Sequence, residues 1–536
     1  MRSVNIKVWL SELRKSIRQK AAAIELRAWL GKLYKAAHRN FPKFFPDPDH
    51  ERRLAVYRSR DAEENERSSP SDGESIQLLC FWAAEYYLPS HLDGLVASFE
   101  KLGWDEEDEA TATNSPVRWL RHRRQTLSGG GWMNLGRIDR LGRNTTIPRS
   151  RIAPLPDDVD FALGYLYSMT STISCVVIAF VLKEEASLRY DQALRRNYET
   201  ALRPLKRGHT IIGPNQQKLS AIRDIRSALR ADLAAWYRSN LPGFFSAENV
   251  GAGLPTCEFQ TLAKGVPFPP REDGSPRSDG FLTALDIDID VNAWEYEGIP
   301  GLKFAWPLMH DRSQENHAII AANEGDFSDE AIRHYGGRNG RSLSSYVDDH
   351  INVLLGRWAL LGVVVKLQQQ FSAIRESAHI LNRSNKDALR ALKRISDLFS
   401  KCVDSGTVAD ELSQFSSDAG YFSHDVADFR PCWPEYYRDK DITISNLLCE
   451  SVSHQSRMLT GSSESVRTLL AQQNAALGTV ENVRLQRKVT WLTLIILVLT
   501  LVMAWGALRE NPFWHDLVTE RAHLEQNGIP AQGILF

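Results

Sequence analysis

Asp286, Asp288 and Asp290 alternate with Ile287 and Ile289 in LDIDIDVNAWEYEG. On an extended strand all three carboxylates would face one side. Such a row of oxygens suits a divalent cation, the one cofactor the residue pattern suggests, and would be the core of a membrane-bound, metal-dependent enzyme. The same alternation also describes a half-buried strand whose polar face meets water. A calcium loop requires in addition a central glycine and a later glutamate at fixed spacing, so the row alone does not define one.

A second constellation is LSGGGWMNLG, which follows Arg118, Arg121, Arg123 and Arg124. Glycine amides and guanidinium groups together can hold a phosphate. Here the glycines lead into an apparent strand rather than a helix, and the P-loop lysine is missing, which favours a flexible hairpin or loop. The 14 histidines include no HExxH pair. VDDHIN around His350 reads as the polar opening of a helix, where Asp348 and Asp349 complement the helix dipole. GxSxG and Rossmann glycine patterns are absent as well. No reaction is identified, and a noncatalytic role is the expectation.

The element that dominates the sequence is VTWLTLIILVLTLVMAWGAL, residues 489–508, which carries no charge. A helix of that length rises about 30 Å, the thickness of a bilayer's hydrocarbon core. Trp491 and Trp505 lie near its ends, at headgroup depth, while Arg484, Arg487 and Lys488 crowd its amino side and outweigh Arg509 and Arg521. That bias predicts an inner-membrane, single-pass protein with a large cytoplasmic body and a short extracytoplasmic tail over 509–536. Thr490, Thr493, Thr500, Ala504 and Ala507, with Leu497, form a stripe of mostly small or hydroxylated residues. In lipid such a stripe permits close helix–helix contact, although threonine can equally bond its own backbone.

Residues 161–182 are also uncharged and long enough to span a bilayer. Tyrosines, serines and threonines interrupt the middle of that run, and its aromatic and β-branched content favours two buried strands. The six cysteines are scattered without a CxxC pair, as reduced thiols in a cytosolic body would be. A net charge of −1 gives no specific nucleic-acid signal. Positive charge concentrates in residues 1–41, with ten Lys and Arg against Glu12 and Glu25, and no apolar signal-peptide core is seen there. Trp9, Leu10, Leu13, Ile17, Ile24 and Ala28 form a helical stripe that could lie on anionic lipid or pack on its own domain.

The remaining organisation follows from periodicity. A basic helical segment covers 1–57 and a polar linker 58–75. A first α/β region covers 76–243, with strands at 76–87 and 132–138 and helix over 184–240. A second, strand-rich region covers 244–340 and includes TCEFQTL, FLTALDIDID, LKFAWPL and HAIIAAN. A helical hairpin covers 341–430, its seam at Val347, Ile351, Leu354, Trp358, Leu361 and Val365. From 431 to 488 a stalk helix carries a heptad at Val452, Leu459, Val466, Gln473 and Val480, with Leu448, Gln455, Ser462, Leu469, Ala476 and Val483 in the second seam position. The fold class is therefore an α+β cytoplasmic body with a C-terminal helical stalk and one transmembrane helix. Its expected partners are membrane lipid and further copies of itself, as a sensor, scaffold or effector that acts through a homo-oligomeric stalk.

In layout, VRLQRKVTWLTLIILVLTLVMAWG resembles the stalk-to-membrane junction of CorA-type magnesium channels, a resemblance that covers residues 440–510. It implies an ion-conducting assembly as an alternative role. MAWGALREN stands where that family has its Gly-Met-Asn signature and no second membrane helix follows, so no pore or metal residue carries over. The whole chain also resembles uncharacterised bacterial membrane-anchored proteins, a likeness that implies no activity. The excess of arginine, 47 against 18 lysines, fits a GC-rich bacterial source.

Overall fold

The computed structural model describes residues 28–37, 50–105, 115–126, 130–142, 150–204, 209–247, 253–269, 280–288, 292–306, 316–383, 388–437 and 441–510, with single positions between and beyond these stretches. The expected lipid-facing stripe from Trp9 to Ile24, Asp290 and nearly all of the C-terminal tail lie outside the described residues. The chain divides into two compact units, Met1–Lys366 with Val408–Arg457, and Leu367–Thr407 with Met458–Phe536.

The first unit is built on one ten-stranded mixed sheet. Its strands are β1 (Ile76–Tyr87), β2 (Trp132–Arg140), β3 (Arg151–Ala153), β4 (Val159–Ser168), β5 (Ser174–Leu182), β8 (Thr256–Leu262), β9 (Ala293–Tyr296), β10 (Lys303–Ala305), β11 (His317–Asn323) and β12 (Phe429–Pro431). The order is β12-β9-β10-β11-β8-β1-β5-β4-β2-β3. Only the β11/β8 and β2/β3 pairs are parallel. The two expected strand regions are thus one sheet, because β8 pairs along β1 with Phe81 opposite Glu258. A separate hairpin, β6 (Ala201–Pro204) with β7 (His209–Ile212), interrupts the segment expected to be helical over 184–240. The β-branched run Thr210-Ile211-Ile212 and the Pro204 break explain that departure.

Residues 161–182 fold as β4 and β5, paired antiparallel from Phe161 opposite Val181 to Ser168 opposite Ser174. Every residue of β5, SCVVIAFVL, is buried. A continuous apolar strand of this kind needs cover on both faces, and two helices supply it. On one face lies α4 (Pro214–Asn240), where Trp236 meets Phe180 edge-on at 5.3 Å and the Tyr237 hydroxyl donates to the Ala83 carbonyl at 2.9 Å. On the other lies α6 (Gly340–Arg383). Trp82 Nε1 donates to Asp348 Oδ1 at 2.7 Å, and the Tyr86 hydroxyl donates to the Gly356 carbonyl at 2.6 Å.

The remaining helices used below are α1 (Leu92–Lys101), α2 (Pro116–Gln125), α3 (Glu184–Ser187), α5 (Gly280–Ala284), α7 (Ala388–Phe415) and α8 (Ile444–Glu510). The β1–turn–α1 order and the β2 strand match the sequence pattern. The polar stretch 58–75 is not all linker, since Asp61–Arg67 is helical and buried Asp61 accepts from the Thr200 amide at 2.7 Å. The described part of FLTALDIDID, residues 281–288, is not a strand either. Phe281, Leu282 and Ala284 are buried in α5, with Leu285 following, and this i, i+1, i+3, i+4 spacing is helical.

The second unit takes its core from helices alone. Phe371, Ile374 and Ala378 of α6, Ile395 of α7, and Leu459, Val466 and Leu470 of α8 are buried, and Gln473 Nε2 donates to the Ala378 carbonyl at 3.1 Å. On α8 the expected positions Val452, Leu459 and Val466 are buried, and only the second expected set is displaced by one residue. Ser456, Ser463 and Leu470 are buried beside Val452, Leu459 and Val466, whereas Ser462 is exposed and Gln455 and Leu469 are half-exposed. The reason is close approach, because a Cβ on Gly406 of α7 would lie 2.5 Å from Ser463 Oγ. Only a small residue fits at position 463 of α8.

Trp82→Phe keeps an aromatic ring against α6 but strips Asp348 of its indole donor while the carboxylate stays buried. It should cost about 1–3 kcal/mol, read as a lower urea midpoint with an unchanged slope.

Candidate functional site

Of the aspartate row, Asp286 and Asp288 are each engaged by neighbouring side chains, and Asp290 lies outside the described residues. Asp286 follows α5 in the left-handed region with φ of 59°. It is turned toward α4, where Arg226 Nη1 donates to its Oδ2 at 2.5 Å and Arg223 Nη2 lies 3.6 Å from its Oδ1. Asp288 Oδ2 accepts from Thr283 Oγ1 at 2.8 Å. Glu297, at the twelfth position counted from Asp286, pairs with Arg430, and Val291 stands where a calcium loop has glycine. Among the described residues no group of three or more His, Cys, Asp or Glu is placed to hold a metal ion. The glycine run ends at Gly130 and Gly131, both at positive φ against β2, and a Cβ on Gly130 would collide with the Tyr421 ring.

The arginine that captures Asp286 belongs to a buried polar cluster that the sequence did not single out. Glu258, 0% exposed on β8, receives Arg226 through Nη2 at 2.7 Å and Nε at 3.0 Å, the Tyr190 hydroxyl at 2.9 Å and Gln260 Nε2 at 2.5 Å. Burial opposes the charge on Glu258, but the Arg226 guanidinium and the donors around it hold the carboxyl well below the usual range. His317 Nε2 lies 3.4 Å from Glu258 Oε2, and its Nδ1 shares a 3.0 Å hydrogen bond with Thr256 Oγ1. Burial pushes the His317 imidazole down to about 4, so it is neutral at pH 7. Glu85, fully buried on β1, goes the other way. Burial lifts it to about 7 even though its carboxylate accepts from the amides of Tyr86, Phe245 and Ser246 at 2.7–2.9 Å. Glu258 and Arg226, both buried and paired with each other, brace the fold.

A cleft of about 750 Å³ opens where β5 ends. Two of its walls are β-bulge residues. Leu79 is the extra residue between Leu78 and Cys80 on β1, and Asp160 the extra residue between Val159 and Phe161 on β4. A bulge bends its strand and re-aims a side chain out of alternation. Asp160 is thereby placed to meet Arg341 in the first turn of α6, with Nε 2.8 Å from Oδ2. That helix comes close because Gly340 has no side chain, since a Cβ there would lie 2.9 Å from Leu79 Cδ2. Lys183, Glu184, Glu185 and Ser187 complete the polar rim, and Leu182 and Leu188 add apolar surface.

The bilayer-related residues are all placed on α8. The helix over Asn482–Ala507 has the length and composition to cross a membrane, and none of it is buried. Trp491 and Trp505 are 67% and 72% exposed, and Arg484, Arg487 and Lys488 are exposed just before the apolar run. Each hydroxyl of the proposed contact stripe has an acceptor in its own helix. Thr490, Thr493 and Thr500 donate to the carbonyls of Gln486, Val489 and Ile496, each at 2.8 Å. They need no partner helix for hydrogen bonding, and Ala504 and Ala507 beside them are exposed. No protein-family model and no curated protein matches the chain.

Arg226→Met should destabilise by about 3–5 kcal/mol, because it leaves Glu258 charged, buried and unpaired. Adding Glu258→Leu should restore most of that loss, and chemical denaturation of the three proteins reads the difference.

Glu85 and His317 have opposite pH signs. The raised Glu85 carboxyl gives stability that is full below about 4.5 and lost as pH rises toward 7, whereas depressed His317 gives stability that is full above about 6.5 and lost as pH falls toward 4. Because these partly cancel, Glu85→Gln should lose stability on acidification from pH 6.5 to 4.5 more steeply than the parent. Parallel slopes in denaturation at both pH values would remove the assignment.

Proposed function

We propose that this chain is a membrane-tethered sensor or scaffold, in which α8 anchors the mixed α/β body to a bilayer. One observation carries the reading. Two helices are long and apolar enough to span a membrane, but the window in Gly340–Ala378 is 78% buried within the protein and that in Asn482–Ala507 is 0% buried. A bare helix of this composition exposes Leu494, Ile495, Ile496, Leu497, Val498 and Leu499 in succession, each about half exposed or more, which water does not tolerate and lipid does. The positive charge of Arg484, Arg487 and Lys488 beside the apolar run supports a cytoplasmic body on an inner membrane in a single-pass topology. Homo-oligomerisation through the helix ahead of the membrane is supported by Val483, a seam position that is 43% exposed on the single chain.

The full chain should stay with membranes through alkaline carbonate extraction, and a variant truncated before Asn482 should not. An alkaline phosphatase fused after Phe536 should be active, which only an extracytoplasmic tail allows. Extraction of the full chain would overturn the anchor, and a cytoplasmic reporter would overturn the orientation.

A further inference from the structure

We propose that the helix over residues 28–37 is a second membrane contact, lying in the plane of an anionic bilayer surface with Trp29, Leu30 and Leu33 among the acyl chains and its lysines at the lipid phosphates. Exposure is the first observation. Trp29, Leu30 and Leu33 are 58%, 51% and 47% exposed, and no residue of 28–37 is buried. A helix packed on its own domain hides its large apolar side chains, and this one presents them. The face is also well formed. At about 100° per residue, Trp29, Leu30, Leu33, Tyr34, Ala36 and Ala37 share about 160° of arc, and Lys32 and Lys35 lie on the other side. Indole and leucine on one side with lysine on the other suit the boundary between headgroups and acyl chains.

Charge selects the occupant. Residues 1–41 carry ten Lys and Arg against Glu12 and Glu25, in a chain whose net charge is −1, and no Asp or Glu occurs between Glu25 and Asp47. A second copy would bring the same positive segment and be repelled, and an uncharged groove would leave the lysines without counter-charge. An anionic leaflet attracts each basic side chain, which strengthens binding about fivefold per charge near the surface. The same pairing of exposed apolar and basic residues recurs in the next helix, His50–Arg58, where Val56 and Tyr57 are exposed along with Arg52 and Arg53 while Leu54 is buried. Three inserted side chains bind weakly by themselves. A tether such as α8 holds the chain beside a bilayer, and at that effective concentration a weak contact is occupied.

This inference rests on the anchor reading and names anionic lipid as the ligand class of the sensor, since occupancy of the helix follows leaflet charge and insertion of α8 does not. The full chain is placed in nanodiscs of phosphatidylcholine, alone or mixed with phosphatidylglycerol, and amide hydrogen exchange of residues 28–37 is followed by mass spectrometry. Exchange there should be about tenfold slower or more in the anionic discs, while β5, buried in the sheet, exchanges alike in both. Salt at about 0.5 M, which cuts the Debye length to about 4 Å, should remove most of the difference. Trp29→Glu combined with Leu33→Glu should abolish it at an unchanged thermal midpoint, because both side chains are exposed in the free body, and Trp29→Phe should keep it. Lys32→Gln combined with Lys35→Gln should reduce it, with recovery in the arginine variants. Equal exchange in the two lipids overturns the proposal, as does slowing that survives the glutamate pair. A lowered midpoint in that pair also overturns it, because the face would then be packed on protein. Carbonate extraction scores the anchor independently. A chain that resists extraction and exchanges equally loses this contact alone, and one that is extracted yet slowed by phosphatidylglycerol loses the anchor alone.

Discussion

A carboxylate in the middle of a strand that is buried at every position constrains the whole first unit. Glu258 sits on β8 between Cys257 and Phe259, paired opposite Phe81 of β1 and beside Ile319 of β11. An ion there is tolerable only with its partner in place. The partner is Arg226, which must reach in from α4, so the position and rotation of that helix on the sheet are set by one hydrogen-bonded pair. The same guanidinium also binds Asp286 and the Leu285 carbonyl, which fixes the turn after α5. Removing the pair in favour of apolar residues need not cost stability. Its contribution is to choose one arrangement among several that an apolar interface would allow.

The same rule separates the two long apolar helices. α6 has enough apolar residues to cross a bilayer, yet it also carries Asp348, Asn352, Arg357 and Lys366, all buried. Trp82 serves Asp348 and Tyr167 serves Asn352. The Phe422 carbonyl and the faces of Phe415 and Phe422 receive Arg357. The Phe244 carbonyl and ring receive Lys366. Four polar side chains with partners on the sheet and surrounding loops commit that helix to the protein interior. Apart from the indoles of Trp491 and Trp505 near its ends, the apolar part of α8 carries threonines as its hydrogen-bonding side chains, and these are satisfied by the helix itself. It makes no demand on a protein interior, and none of it is buried there.

Much of this order was legible as local pattern. The continuous apolar run at 174–182, the tyrosines and serines that end the run before it, and the 3.5-residue spacing through Val347, Ile351 and Leu354 identify β5, β4 and the core face of α6. What pattern could not supply was information held by a distant segment. Ser463 faces the core because Gly406 lets α7 come close, and the heptad written for leucine-like residues picks the neighbouring position. Asp286, Asp288 and Asp290 alternate as a strand would, but Phe281, Leu282, Ala284 and Leu285 immediately before them take the helical period and end in a left-handed turn that sends Asp286 to Arg226. Glu258 was visible as a lone charge within TCEFQTL. Its partner 32 residues earlier on a helix was not, since pairing across a sheet face leaves no spacing to read.

The cleft shows the limit most clearly, because its walls come from irregularities. A regular β4 would alternate Asp160 strictly with its neighbours, and a regular β1 would do the same with Leu79. Each bulge adds one residue to one strand of a pair, and β5 runs between the two bulged strands. Extra residues on both sides of β5 bend its neighbours near its end, where α6 begins with a glycine in contact with Leu79. The opening is therefore a consequence of register, set by pairings that are distant along the chain for β1 with β5 and β8 and local for β4 with β5. Sequence periodicity treats a bulge as noise, whereas in the folded protein the bulges bring a buried serine, a lysine and a helix start to the wall of one cleft.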